Sequence, residues 1–417
     1  MKTKGLFLRL GIACIGILMV MLPVLACASP TSPTTSGPKT LDLGIVEGIS
    51  GQFSEFTKVQ VDGMMIAIDI INERGGITVN GQKYLINPVI EDSKNTPEGV
   101  VTAANRIIYD KKLNMVVGCG MGAMVHALAT VTDPANVIRV PDWNNGTPQD
   151  INANTPYVLE ASWGTVETAQ ATINYLVKNY PDVKDLLLIM PDDGAIADVG
   201  PKVKKLAEEA GLTMKNPVFG WGLDTVDFYP LAQKCVTLNA DAWMVNPGWE
   251  SHVAAFLKGG REQGFNGVVM GNNGAFHSLQ KAAGSDPRIL TKVIMVGFST
   301  ETAEEVKALP DDMFTPLFKQ IGAKAFADYG YFIPDMLKGF NAVYCLAQAY
   351  EAANSFDPAV VAATWKKMDT METAYGPGRL CGQETFGVRS IVSPNAPIQK
   401  IDDGKMNYAG MADMYVP

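Results

Sequence analysis

Histidine and cysteine are scarce in this 417-residue chain, with three and six copies, and no two cysteines stand in a C-x-x-C pair. That removes the usual spacings of a structural zinc site or a dithiol redox centre, so neither a metal nor a cofactor is expected. There is no G-x-S-x-G, no H-E-x-x-H and no Walker A sequence, so the common hydrolase, metalloprotease and P-loop chemistries have no foothold, and no enzyme is expected. Gly118-x-Gly120-x-Gly122 follows an apolar strand, but its third glycine is misplaced for a dinucleotide loop, and no acid ends the next strand. Basic residues are in deficit, 34 against 43 acidic, giving a net charge of −9. A surface of that sign repels phosphate backbones and excludes nucleic acid as a partner. There is no tandem short repeat. Beyond the first 25 residues no apolar run is long enough to cross a bilayer.

What is present begins with Lys2, Lys4 and Arg9 ahead of an apolar stretch from Leu10 to Leu25, interrupted by Pro23. This is the layout of an export signal, too short for a comfortable span. It ends in Val24-Leu25-Ala26-Cys27, which resembles a bacterial lipobox with Cys27 as the lipid attachment point. An ordinary secretory signal cut near Ala26 or Ala28 is the other reading, with Cys27 incidental. Ser29–Lys39 is rich in Pro, Ser, Thr and Gly and reads as a flexible tether. Residues 1–26 carry three positive charges and no negative ones, so their removal leaves a net charge of −12. The expected place of the protein is extracytoplasmic, anchored to the membrane by lipid at the periplasmic face or the cell surface. Cys119, Cys235, Cys345 and Cys381 remain. Two of them lie in helical patterns, where a small buried thiol is the plain expectation.

About 375 residues then alternate strand and helix patterns, too many for one compact core and suited to two domains. Leu41–Val46, Tyr84–Ile90, Leu113–Val117 and Val137–Val140 read as strands. Val59–Asn72 and Val125–Thr132 read as helices, as does the segment capped by Thr96 with Pro97 at its first position. The pattern restarts with helices at Val166–Asn179, Val199–Ala210 and His252–Gln263. Strands are expected at Leu186–Met190, Thr213–Val218, Ala242–Asn246, Val268–Met270 and Val293–Val296. Helices at Met336–Ala353 and Pro358–Lys367 precede a Gly/Pro-rich tail with short strands. Two doubly wound, mostly parallel sheets follow, and ligands of such sheets sit beyond the carboxyl ends of the strands.

A dozen short motifs in register carry a resemblance from about Leu41 to about Tyr408. They include Leu43-Gly44-Ile45-Val46, Asn72-Glu-Arg-Gly75-Gly76, Asn95-Thr-Pro97-Glu98, Asp224-x-x-Asp227-Phe228, Gly339-Phe340-Asn341-Ala342-Val343 and Ile401-Asp402-Asp403-Gly404. In this order they resemble the type I periplasmic solute-binding proteins, in the branch of the branched-chain amino-acid ABC-transporter receptors. The resemblance implies an α/β fold of two Rossmann-like lobes joined by a three-stranded hinge. It places lobe 1 at 41–160 plus 298–371 and lobe 2 at 161–297 plus 372–417, after a signal at 1–26 and a tether at 27–40. It also implies a monomer that closes on a small-molecule solute and presents it to an ABC permease in the membrane.

In that branch a Ser and a Thr from two lobe-1 loops hold the α-carboxylate, and a lobe-2 acid holds the ammonium, since a buried zwitterion needs both charges answered. The matching positions here depart from it. The first loop reads Gly120-Met121-Gly122-Ala123-Met124 and has no hydroxyl. The second reads Pro141-Asp142-Trp143-Asn144, and Asn273 stands at the acid. Ala195 replaces the lobe-2 aromatic. In their place Phe53, Trp143 and Trp249 lie on strand-end loops with Met121 and Met124 nearby, a lining suited to a flat or apolar body. Asn144, Asn246 and Asn273 can donate or accept. Asp142 suits a cation or a solvated loop, and the backbone N–H groups at Gly122 and Ala123 suit an anionic oxygen. The expected solute is a small organic acid or amide with an apolar or aromatic portion. The alternatives are an amino-acid receptor and a ligand-sensing module working with a separate signalling partner.

Overall fold

The computed structural model describes residues 37–417 except 52–53, 121, 144–146, 148–149, 193, 216, 223, 273 and 285. The signal, Cys27 and most of the tether therefore lie outside the described residues.

The first lobe opens with β1 (Lys39–Glu47), α1 (Ser54–Glu73), β2 (Ile77–Val79), β3 (Gln82–Asp92) and α2 (Pro97–Asn105). It continues through β4 (Met115–Val117), α3 (Gly122–Thr132) and β5 (Ile138–Val140). Its sheet has the order β2-β3-β1-β4-β5, with β1 parallel to β3 and β4, and β4 parallel to β5. β1 from Leu43 onward and the whole of β4 are buried, as strands covered by helices on both faces are, whereas β3 is mostly half-buried or exposed. Thr96 accepts a hydrogen bond from Gly99 N–H and starts α2 with Pro97 in its first turn. The hairpin β2–β3 was not expected from periodicity. Its turn is Asn80-Gly81, both at positive φ (51° and 73°), the conformation that lets a two-residue loop follow the twist of its strands.

The second lobe runs through α4 (Thr165–Asn179), β6 (Asp185–Pro191), α5 (Ile196–Glu209), β7 (Thr213–Met214), β8 (Phe219–Trp221) and α6 (Tyr229–Thr237). It continues with β9 (Ala242–Val245), α7 (Glu250–Glu262), β10 (Val268–Gly271), α8 (Phe276–Ala283) and β11 (Val293–Val296). Of the strand expected at Thr213–Val218 only β7 forms, and a separate strand, β8, starts beyond it at Phe219; Pro217 between them has no N–H to give a ladder. The chain then supplies α9 (Ala303–Ala308), α10 (Pro316–Asp328), α11 (Pro334–Ala353) and α12 (Pro358–Trp365). It ends with β12 (Thr370–Thr373), β13 (Gly376–Cys381), α13 (Gln383–Phe386), β14 (Ile391–Ser393), β15 (Asn395–Asp402) and β16 (Lys405–Asp413). β6, β9, β10 and β11 are parallel; β15 and β16 close that sheet antiparallel, in the order β16-β15-β11-β10-β9-β6-β7, with β8 also on β6. A third sheet, β12-β13-β14, is joined to the first crossing segment where Glu160 N–H donates to Ser390 O (3.0 Å) and Val392 N–H to Glu160 O (2.8 Å).

One helix pair fixes the position of the site. A Cβ on Gly63 of α1 would fall 1.8 Å from Met336 O, and one on Gly339 of α11 would fall 1.9 Å from Gln60 O. Only hydrogen in place of a side chain lets the two backbones come this close. α11 is buried along most of its length, and its start, with Asp335 and Lys338, is thereby set beside Gln60–Gly63 in the middle of α1. Cys119, Cys235, Cys345 and Cys381 are free and buried, as the helical patterns around Cys235 and Cys345 suggested for those two. No described helix is long and apolar enough to cross a membrane.

Candidate functional site

The carboxyl end of β1 terminates in a charged residue. Glu47 is buried, and its carboxyl accepts N–H from Gly48 (3.0 Å) and from Cys119 in the loop after β4. It ties two strand-end loops together. Beside it stands Asp142, in the loop after β5. A Cβ on Gly120 would meet Asp142 Oδ1 at 2.4 Å and Trp143 N at 2.5 Å, so the glycine is what admits this acid and its neighbour against the loop after β4. Asp142 has no exposed surface, and the Glu47 carboxyl and the N–H groups of Asp142 and Gly120 are the donors that face it. Burial pushes both carboxyls up, Asp142 to about 6, and the charge of Asp142 raises Glu47 further. Of the two, Glu47 is the one that carries a proton, and its hydrogen bond to Asp142 keeps the latter lower.

Lys338 is the cation of this region. Its side chain is 2% exposed, its ammonium lies 2.6 Å from Asp335 Oδ1, and it sits 4.0 Å from the centre of the Trp143 ring. Its charge also acts on Asp142 from lobe 1 and on Glu250 from lobe 2. Glu250, the first residue of α7, is buried, with Oε1 lacking a partner; burial and then Asp335 raise it to about 8. Two more buried acids stand nearby. Glu160 accepts from Ser162 (2.7 Å) and is raised by burial. Glu167, at the start of α4, accepts Gly164 N–H (3.0 Å) and is raised by burial to about 7. Among the described residues no group of His, Cys, Asp and Glu has the arrangement of a metal site.

The lobes also meet through aromatic rings. Phe56, in the first turn of α1, lies flat against Trp249, just before α7, with ring centres 4.2 Å apart and planes 9° apart. Trp249 stacks in turn on His252 at 5.0 Å, and behind it Trp221, Phe228 and Phe256 form a cluster. Burial pushes His252 down to about 4, so its Nδ1 accepts, at 3.4 Å, the Trp249 N–H.

The structure thus brings together Asp142 and Trp143 and sets Trp249 on the facing lobe. Phe53, Met121, Asn144 and Asn273 lie outside the described residues. Gly122 and Ala123 open α3, the latter exposed, while Met124 packs on the lobe-1 core with Val46, Cys119 and Leu128. Ala195 is buried immediately before α5. Asn246 does not serve as a free polar arm. Its amide donates to Thr165 O (2.8 Å) and its oxygen accepts from Thr168 (3.2 Å), holding α4 to the end of β9. Sequence reasoning passed over Glu47, Glu250, Asp335 and Lys338. The signal was there: an acid closing an apolar strand in Val46-Glu47-Gly48, and a charged pair three residues apart at the start of an otherwise apolar helix. A separate groove of 1140 Å³ lies between α8, α9, α10 and the β15–β16 turn, and its described lining includes none of the residues above.

Two α/β lobes built on largely parallel sheets define the architecture of a binding protein. The sequence profile of the periplasmic binding protein family matches residues 40–390, and the chain belongs to that family. It is an extracytoplasmic solute-binding protein of the ABC-importer kind. It is 23% identical to a Leu/Ile/Val-binding protein homologue of Brucella melitensis, covering 93% of this chain and 98% of that one. Among solved structures, a leucine-binding protein of Thermotoga maritima superimposes with a TM-score of 0.69 at 18% identity, covering 90% of this chain and 99% of the other. A solute-binding protein of Rhodopseudomonas palustris in complex with 3,4-dihydroxybenzoic acid superimposes with a TM-score of 0.67 at 18% identity, covering 90% and 98%.

Proposed function

We propose that the protein captures a small organic acid or amide with an apolar or aromatic portion and delivers it to an ABC permease. The observation that carries this reading is the floor of the cleft, where the Trp143 ring stands against the Lys338 ammonium at 4.0 Å with Asp142 in the same loop. A flat apolar wall with charged groups at its edge suits a solute having one apolar and one polar end. Crossings between the lobes near Glu160, Gly297 and Met371 would serve as the hinge, and a lipid on Cys27 would keep a monomer near its permease. The names of relatives favour a second reading, a branched-chain amino-acid receptor. Against it stands the loop Gly120–Met124, which offers no hydroxyl to an α-carboxylate.

The test is a thermal-shift screen of the purified protein against amino acids, aromatic acids, aliphatic acids and amides. A solute that binds only the folded form at 100 times its Kd adds about 2.7 kcal/mol to stability. A shift with aromatic acids or amides is expected. A shift with leucine and valine alone replaces this reading by the second.

A further inference from the structure

We propose that Glu47 is a positioning residue for the Trp143 ring: its carboxyl shares a proton with Asp142, and that hydrogen bond ties the loop after β5 to the loops after β1 and β4. The inference deepens the reading above and rests on it for its bearing on the solute, while its test uses the solute-free protein, so the two fail separately. Carboxylates are acceptors only, so a hydrogen bond between Glu47 and Asp142 requires a proton on one of them. Glu47 is fixed from two sides, by Gly48 N–H at 3.0 Å and by Cys119 N–H. Asp142 is held by its own N–H and by that of Gly120. A Cβ on Gly120 would lie 2.5 Å from both N and Cβ of Trp143, so the indole stands on the same glycine as the acid before it. Parting Asp142 from Glu47 therefore moves the ring.

The charges around the pair admit one negative charge on it and not two. Lys338 on α11 is the cation that acts on Asp142, and its ammonium lies 2.6 Å from Asp335. Arg139 on β5 directs Nη2 to Asp133 at 3.4 Å. The Cys119 thiol is pushed well up by burial and then by the charge of Glu47, so it stays neutral, and burial keeps the proton on Glu160 in the first crossing segment. Loss of the shared proton to solvent leaves two carboxylates in contact out of water, and they repel. The direction follows from the two groups themselves. Burial and the charge of Asp142 raise Glu47 well above 4.5, and burial raises Asp142 to about 6. The tie is therefore present at low pH and is lost as the pH rises through the Glu47 value, above that of Asp142. The solute then loses the wall that Trp143 provides.

The test is a pH titration of the solute-free protein carrying fluorotryptophan, followed by fluorine NMR from pH 5 to 10. Trp143→Phe identifies the Trp143 resonance by its loss. In the wild type that resonance is expected to shift in a single step above pH 6. In Asp142→Asn the amide donates to an ionised Glu47, which keeps one negative charge on the pair and supplies a donor that base does not remove. There the resonance is expected to stay near its low-pH position throughout. Glu167→Gln and Glu250→Gln remove acids raised to about 7 and about 8, and both are expected to keep the step. A wild-type resonance that does not move, a step of equal size in Asp142→Asn, or a step lost with Glu167 or Glu250 overturns the proposal. Should Asp142→Asn not fold, Glu47→Gln, whose amide donates to Asp142 at any pH, makes the same comparison.

Discussion

Lys338→Met removes the one lysine from the acidic floor of the cleft while keeping most of its apolar stem. The side chains of Lys338 and Asp335 are 2% and 13% exposed, and their atoms are 2.6 Å apart, so the pair is held out of water on both sides. Deleting one member of such a pair costs about 3–5 kcal/mol, because the surviving charge stays buried without compensation. For a protein of this size that is a fall in Tm of roughly 6–10 °C, at about 2 °C per kcal/mol. Calorimetry of the ligand-free protein at pH 8 reads it directly. The deficit is expected to shrink as the pH is lowered to 5, because Asp142 and Glu250, raised to about 6 and about 8, take up protons and cease to repel. Lys338→Met with Asp335→Leu is expected to recover more than half of the loss, since the double replacement leaves neither charge of the pair unmatched. A single-variant deficit below about 1 kcal/mol, or one that does not change with pH, would refute the reasoning.

The buried acids make the wild-type protein itself pH-dependent. Glu167 and Glu250 are raised by burial to about 7 and about 8 from 4.5, so the folded state holds protons that the unfolded chain has released. Their contribution is present below about pH 4.5 and is withdrawn as the pH climbs toward 8, so the urea midpoint should fall between pH 5 and 8. Glu167→Gln should flatten that slope, and a midpoint rising with pH would contradict it. Gly63→Ala drives a methyl into Met336 O and is expected to cost about 1–3 kcal/mol or more in urea unfolding. Trp249→Ala removes the stack on Phe56, worth about 0.5–1.5 kcal/mol beyond its area. It should shift the population toward open lobes, seen as a larger radius of gyration in solution scattering.

The layered α/β plan was legible because buried parallel strands and the helices between them announce themselves by period and by caps such as Thr96-Pro97. Short elements were not. β2 has three residues and α9 six, too few for a period to show, yet Asn80-Gly81 and the capping Thr302 mark a turn and a helix start by chemistry alone. In the site, Asp142, Trp143 and Trp249 were legible as unusual residues on strand-end loops. Lys338 and Glu250 were not, because the charge of Lys338 on α11 acts on Glu250 of α7 from 88 positions away in the chain, which no local pattern records. Asn246 shows the opposite failure. An amide at a strand end looks available, but its bonds are spent on the first turn of α4.

Helix α11 has more than one attachment. Its first half is clamped to α1 through the two glycines. Further along, Asn341 accepts the Ala374 N–H (2.8 Å), Tyr344 donates to the Glu372 carboxyl (2.9 Å), and Gln348 exchanges two hydrogen bonds with the Glu372 backbone. A rod fastened in this way does not bend to accommodate a pull at one end. Any force that an arriving guest exerts on the lysine in its opening turn is carried about two helical turns to β12, where the chain enters the third sheet.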